Sequence, residues 1–262
     1  MSWFEALILG LIQGLTEFLP VSSSGHLELG EVILHTKTTE NLTFTVVVHG
    51  ATVLSTIFVF YKDILQILTG TFRFKWNAET KYFSKILISM IPVAFVGIFL
   101  KDQVENLFTG NLVLVGSMLL VTAMLLSFTY FAKNKNKEVS FIASFIIGIS
   151  QAIAVIPGIS RSGATISTAL MLGINKERAA RFSFLMVLIP IILANVKSLM
   201  DATPGSDAGI SIVPLLVGFL AAFISGLIAC KLMIGIVKRG KLIYFAVYCF
   251  IVGITAIVFG LV

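Results

Sequence analysis

A chain of 262 residues that is 57% hydrophobic and 12% charged, with a mean hydropathy of +1.01, is too apolar for an ordinary soluble domain, where charged residues make up about a quarter. Its net charge of +6 raises the question of nucleic acid, but the basic residues fall in short clusters between apolar tracts and form no binding stripe. A nucleic-acid-binding domain and a soluble enzyme are both excluded, and an all-α polytopic membrane protein is expected.

The first predicted element is unusual. Residues 3–35 hold one apolar stretch of helix length, a polar break at Pro20-Val-Ser22-Ser23-Ser24-Gly25-His26, and a second apolar piece of about a dozen residues. A piece that short does not cross a hydrocarbon core of ~30 Å. The region therefore reads as a re-entrant helix–loop–helix hairpin. Met1–Glu5 carries no basic run and no small-residue cleavage signal, so a removable signal peptide is not expected. Three full spans follow, at roughly 42–61, 83–100 and 111–132. Residues 139–174 then repeat the hairpin pattern, with a break at Pro157-Gly-Ile-Ser160-Arg161-Ser162-Gly163. Three more spans are expected at roughly 182–200, 212–237 and 242–261. Cys230 and Cys249 lie inside apolar spans with no metal-ligand spacing and read as small core residues.

The charges between the spans test this count. Lys62, Arg73, Lys75 and Lys81, then Lys133, Lys135 and Lys137, then Lys238, Arg239 and Lys241 mark cytoplasmic linkers. The linkers at 101–110, with Asp102 and Glu105, and at 201–211, with Asp201 and Asp207, belong outside. Six transmembrane helices with two non-crossing hairpins satisfy all five linkers. The first hairpin then enters from outside and the second from the cytoplasm.

The two breaks also match at a constant offset of 138 residues, from Gly10 to Gly148. Gln13 pairs with Gln151, Ser22 with Ser160, Ser24 with Ser162, Gly25 with Gly163, and further on Phe44 with Phe182. The chain therefore reads as a single membrane domain of two inverted repeats, 1–135 and 136–262. Each repeat is one hairpin plus three spans, an odd number, which inverts the second. Inverted repeats with broken helices place a site where the breaks meet.

The polar inventory of the breaks points to phosphate chemistry. Gln13 and Glu17 are four apart and share a helix face, and an acidic residue at that depth is costly unless it has a task. Beyond Pro157-Gly158, Ser160 opens a helix whose N-terminus suits an anion. Ser22, Ser162 and Thr165 add hydroxyl donors, and Arg161 adds a planar fork matched to phosphate oxygens. Ordinary N-capping is the plainer reading of each serine. His26 is placed for acid–base or nucleophilic work, whereas His35 reads as a linker residue and His49 as either packing or pocket lining. The set suits a phosphate ester or pyrophosphate. A divalent ion such as Mg²⁺ could join through Glu17, since such ions bind through one or two carboxylates plus substrate phosphates.

Gln13-Gly-Leu-Thr-Glu17 through His26 resembles the (E/Q)xxxE-plus-histidine motif of the undecaprenyl-diphosphate phosphatases, the bacitracin-resistance family. Pro157-Gly-Ile-Ser160-Arg161-Ser162-Gly-Ala-Thr165 resembles that family's PGxSRSxxT motif. The resemblance covers the whole chain. It implies a multi-pass enzyme of the bacterial plasma (inner) membrane, working as a homodimer with a divalent metal (Mg²⁺ or Ca²⁺). Its substrate would be a C55 polyprenyl diphosphate, cut to the monophosphate carrier of peptidoglycan precursors. Carried over, Glu17 and Gln13 would handle metal or proton, Ser23 or His26 would attack or activate, and Arg161 would clamp the pyrophosphate. Ser22, Ser160, Ser162 and Thr165 would complete the anion cradle. Two departures stand out: Gln13 replaces one carboxylate of the pair, and Thr45 and His49 occupy the first full span where relatives often carry an acid and a glutamine. A lipid-phosphate transporter or flippase is the rival reading, since it would want the same cradle but no nucleophile.

Overall fold

The computed structural model describes residues 1–34, 42–108, 110–133, 135–201 and 211–261. His35 and Asp207 lie outside them. Among the described residues the chain is helical throughout, with one isolated bridge between Lys137 and Ile174.

The first hairpin is α1 (Trp3–Phe18) and α2 (Ser23–Leu34). A capping box between Ser2 and Glu5 starts α1, and Leu19 ends it in an extended conformation ahead of Pro20. The second hairpin is α8 (Phe141–Ile153) and α9 (Arg161–Met171), each opened by a serine N-cap, Ser140 and Ser160. At 16, 12, 13 and 11 residues, these four arms are all short for a bilayer crossing.

Six helices form the spanning set: α3 (Leu42–Val59), α5 (Ala78–Phe99), α7 (Leu112–Phe128), α10 (Lys176–Asp201), α11 (Ile212–Arg239) and α12 (Ile243–Leu261). Four of them, α5, α10, α11 and α12, are long and apolar enough to cross by themselves. At 17 residues, α7 is at the lower limit for a span. The expected span at 42–61 is corrected at its end. Helix α3 stops at Val59, and α4 (Tyr61–Thr71) turns away by 76°. Tyr61, Leu65, Phe72, Phe74 and Trp76 are exposed there, beside Lys62, Arg73 and Lys75. This is the composition of a segment lying in the headgroup plane. The short α6 (Lys101–Glu105) caps the opposite end of α5.

Packing mirrors the sequence repeat. Helix α1 packs on α11 as α8 packs on α5, α3 packs on α11 as α10 packs on α5, and α7 packs on α12. Small residues allow these approaches. A Cβ on Gly10 would overlap the Gly218 carbonyl of α11, and one on Gly148 would overlap the Ser89 carbonyl of α5. Phe44 and Phe182, 138 residues apart, are both fully buried. Cys230 and Cys249 are free, buried core residues, as expected.

Ion pairs gather the basic linkers at one end. Arg181 pairs with Asp63 at 2.9 Å, Arg178 with Glu138 at 3.3 Å and Lys238 with Glu177 at 2.9 Å. Lys137 and Asn175 close the base of the second hairpin through backbone hydrogen bonds to Gly173 and Lys137. All these segments carry the clusters expected to face the cytoplasm.

Candidate active site

The two breaks have the same local build. Ser22 Oγ accepts from Gly25 N at 3.3 Å and lies 3.3 Å from Ser24 Oγ. Ser160 Oγ accepts from Gly163 N at 3.0 Å and lies 3.2 Å from Ser162 Oγ. The capping role is therefore real for Ser22 and Ser160, and it holds both tips in one shape. At the first tip Ser22 takes a left-handed φ of 70°. At the second, Gly158 takes φ 92° with its Cα against the Val115 carbonyl, where a side chain would not fit. Thr122 of α7 fixes that tip by donating to the Gly158 carbonyl and accepting from Ser160 N.

The tips meet. Ser162 Oγ donates to the Leu19 carbonyl at 3.2 Å, and Arg161 Nη2 donates to Glu17 Oε1 at 3.1 Å. Glu17 Oε2 accepts from Gln13 Nε2 at 3.0 Å and from Ser23 Oγ at 2.7 Å. The Glu17 side chain is 7% exposed and that of Arg161 30%. One buried carboxylate thus holds a guanidinium, an amide and a hydroxyl. Such a charge persists in a low-dielectric site because it is paired and hydrogen-bonded.

Above this cluster opens a cavity of about 340 Å³, with Glu17, Ser22, Ser23, Ser24, Ser160 and Arg161 in its wall. Below it lies a void of about 20 Å³, to which Ser162 and Thr165 belong. Thr165 Oγ1 donates to the Arg161 carbonyl at 2.8 Å, so it braces the arginine from behind. Gln13 is fully buried one layer back from the cavity, and its Oε1 has no hydrogen-bond partner among the described residues.

His26 takes a different position from the rest. Its Nδ1 lies 2.8 Å from the Ser22 carbonyl, its Nε2 lies 2.9 Å from the Tyr248 hydroxyl, and the ring stacks on Tyr248. With Nδ1 donating to the carbonyl, Nε2 is the acceptor of the phenolic proton. Both nitrogens are engaged, and the ring is not in the cavity wall.

Three wall residues carry chemistry that the motifs do not include: Glu28, Thr45 and His49. Glu28 is 5% exposed. It lies four residues after Ser24, on the same face of α2. A charged residue within an apolar dozen was the available signal. His49 is fixed by its Nδ1 on the Thr45 carbonyl at 2.9 Å.

The geometry combines a carboxylate-bound serine, a guanidinium and helix N-terminal donors around one chamber. The family described as "Bacitracin resistance protein BacA" matches residues 6–255. An undecaprenyl-diphosphatase of Parabacteroides distasonis is 56% identical, with 98% of each chain covered. One of Bacteroides fragilis is also 56% identical over 98% of each chain, and one of Salinibacter ruber is 40% identical over 97% of each. With a family model covering residues 6–255 and relatives at 56% identity over nearly the whole chain, the chain belongs to the BacA bacitracin resistance protein family.

Proposed function

We propose that this membrane protein is an undecaprenyl-diphosphatase. It removes the terminal phosphate of undecaprenyl diphosphate and returns the monophosphate carrier to peptidoglycan synthesis. The observation that carries the reading is the single carboxylate, Glu17, bound at once to Ser23 of its own hairpin and Arg161 of the other. A transporter needs the anion cradle but has no use for a serine hydroxyl seated on a carboxylate.

The substrate's diphosphate occupies the cavity, with Arg161 turning its remaining donors to the terminal phosphate. Ser23 Oγ attacks the terminal phosphorus and its proton passes to Glu17. The bond from that phosphorus to the bridging oxygen breaks, and the lipid monophosphate leaves. Water then attacks the phosphoserine, the bond from phosphorus to Ser23 Oγ breaks as Glu17 returns its proton to that oxygen, and both protons of the water leave on inorganic phosphate as H2PO4⁻. Between Ser23 and His26, the geometry supports Ser23 as nucleophile. His26 positions it by holding the Ser22 carbonyl.

The donor set fits a hard divalent ion. Glu17 and Glu28 share the cavity wall, and Gln13 keeps an unpartnered buried oxygen beside Glu17. Among the described residues no group of three or more His, Cys, Asp or Glu forms a closed cage. Mg²⁺ or Ca²⁺ would be held from the cavity wall by Glu17 and Glu28, with Gln13 behind Glu17 orienting that carboxylate through its 3.0 Å hydrogen bond. Bound, it would neutralise phosphate charge. The family resemblance adds a plasma-membrane location and a homodimer to this reading, and the mirrored packing of the hairpins supports the division into repeats 1–135 and 136–262.

The test is phosphate release from a polyprenyl diphosphate by detergent-purified protein, with and without EDTA, for wild type and Arg161→Ala. Release that is lost in the variant supports the reading. A folded wild type that binds the lipid and releases no phosphate would move the assignment to a transporter.

A further inference from the structure

A second polar cavity lies at the opposite end of the molecule from the wall of Ser22–Ser24. Its volume is about 210 Å³ and it is lined by Tyr82, Lys85, Glu138, Val139, Arg178 and Arg181. Three helices begin around it: Tyr82 and Lys85 lie in the first two turns of α5, Glu138 and Val139 immediately precede α8, and Arg178 and Arg181 lie in the opening turns of α10. Each helix start contributes a partial positive charge.

The side chains add to that field. Three cations face one carboxylate in the wall. Arg178 uses one nitrogen on Glu138 at 3.3 Å, and Arg181 uses Nη1 on Asp63 at 2.9 Å, with Glu177 at 3.9 Å from Nη2. An arginine has five N–H donors, so both retain several. Lys85 Nζ lies over the Phe141 ring, 5.5 Å from its centroid, and has no ion pair among the described residues. The Tyr82 hydroxyl is buried and has no hydrogen-bond partner among the described residues. A buried hydroxyl without a partner is unfavourable, and this one belongs to a residue that lines a cavity rich in positive charge. It is the independent sign that a polar ligand belongs there.

The rim tells what kind. Trp76 stacks on Phe141 with ring centroids 6.5 Å apart, and both are exposed, as is Phe74. Aromatic rings of this kind sit at the level of lipid headgroups. The basic linkers place this end at the cytoplasmic leaflet, whose anionic lipids are drawn to basic pockets between helices.

We propose that the α5–α8–α10 cavity binds the phosphate of an anionic phospholipid from the cytoplasmic leaflet, through Lys85, Arg178, Arg181 and the Tyr82 hydroxyl. This site is separate from the cavity between the hairpin tips and does not depend on the activity assigned there. Its lipid is a resident of the bilayer and undergoes no reaction.

The experiment is native mass spectrometry of the full chain, delipidated in detergent and titrated with phosphatidylglycerol, with phosphatidylcholine as the zwitterionic control. Wild type should retain phosphatidylglycerol selectively. Lys85→Met should weaken that binding about tenfold, and Tyr82→Phe about threefold or more, the range for one lost charged or neutral hydrogen bond. Tyr82→Phe keeps the ring that packs edge-on against Phe182, so it reads the hydroxyl without disturbing the fold. Lys133→Met, on the same end but outside the cavity, and Arg161→Ala, in the other cavity, should both bind as wild type does. Unchanged binding in Lys85→Met and Tyr82→Phe overturns the proposal. An equal loss in Lys133→Met overturns it too, by reducing the effect to general attraction, and a loss in Arg161→Ala assigns the lipid to the other cavity. Displacement of the lipid by millimolar inorganic phosphate would give the pocket to a soluble anion instead.

Discussion

Arg161 reaches across 144 residues of sequence to place its Nη2 3.1 Å from Glu17 Oε1. This contact joins the two hairpins and brings the two motifs together. The carboxylate that receives it is also the acceptor for Ser23 and Gln13, so charge, nucleophile and support are coupled at two oxygen atoms.

Arg161→Lys should reduce kcat/KM for phosphate release by about 10²–10³, the usual scale for losing a preorganised donor to developing charge. A point charge cannot bridge Glu17 and a phosphate oxygen as a planar fork does. Steady-state kinetics on the detergent-purified variant check this. Turnover near the wild-type value would mean that the arginine only marks topology.

Ser23→Ala should abolish turnover while leaving lipid binding intact. Tyr248→Phe, which removes the partner of His26 Nε2, should lower kcat by about tenfold or less, as expected for a group acting through one neutral hydrogen bond. The comparison separates attack by Ser23 from attack by His26. If Ser23→Ala turns over and His26→Gln does not, the roles are reversed.

Glu28→Gln should raise the divalent-ion concentration needed for half-maximal activity about tenfold, equivalent to ~1.4 kcal/mol. The second carboxylate in the cavity wall is the reason. A Mg²⁺ titration of activity reads this directly, together with luminescence of bound Tb³⁺ as a readout free of turnover. An unchanged midpoint in both would remove Glu28 from the ion's surroundings.

Gly10→Ala and Gly148→Ala should each destabilise the protein by about 1–3 kcal/mol, because the added methyl overlaps a backbone carbonyl of the neighbouring helix. Gly97→Ala and Gly235→Ala meet nothing within 4 Å and should be neutral or slightly stabilising, since alanine favours the helix. Thermal unfolding in a fixed detergent compares the four. Equal behaviour of both pairs would deny the two equivalent helix crossings their role in stability.

Much of this protein was legible before any coordinates. Length and hydropathy determine the spans, because a bilayer of fixed thickness demands about 20 apolar residues. Polar breaks in apolar sequence mark the site, because lipid tolerates them only where protein or water satisfies them. The offset of 138 residues links Gly10 to Gly148 and the two serine turns to each other. Those regularities are local or periodic, and a one-dimensional string preserves them.

Tertiary structure alone decided which polar groups touch. His26 reads from its motif as a candidate for acid–base or nucleophilic work alongside Ser23, yet a turn of helix directs its ring to Tyr248, 222 residues away. Glu28 belongs to neither motif and His49 reads equally as packing or pocket lining, and packing of α2 and α3 puts both in the cavity wall. Ser162 and Thr165 fall behind the ion pair, in a separate void. The bend at Phe60 and the cavity between α5, α8 and α10 likewise come from how helices pack, with no periodic signal to announce them. Side-chain direction depends on helix phase and on the crossing of partners far apart in sequence, and only the folded chain fixes both.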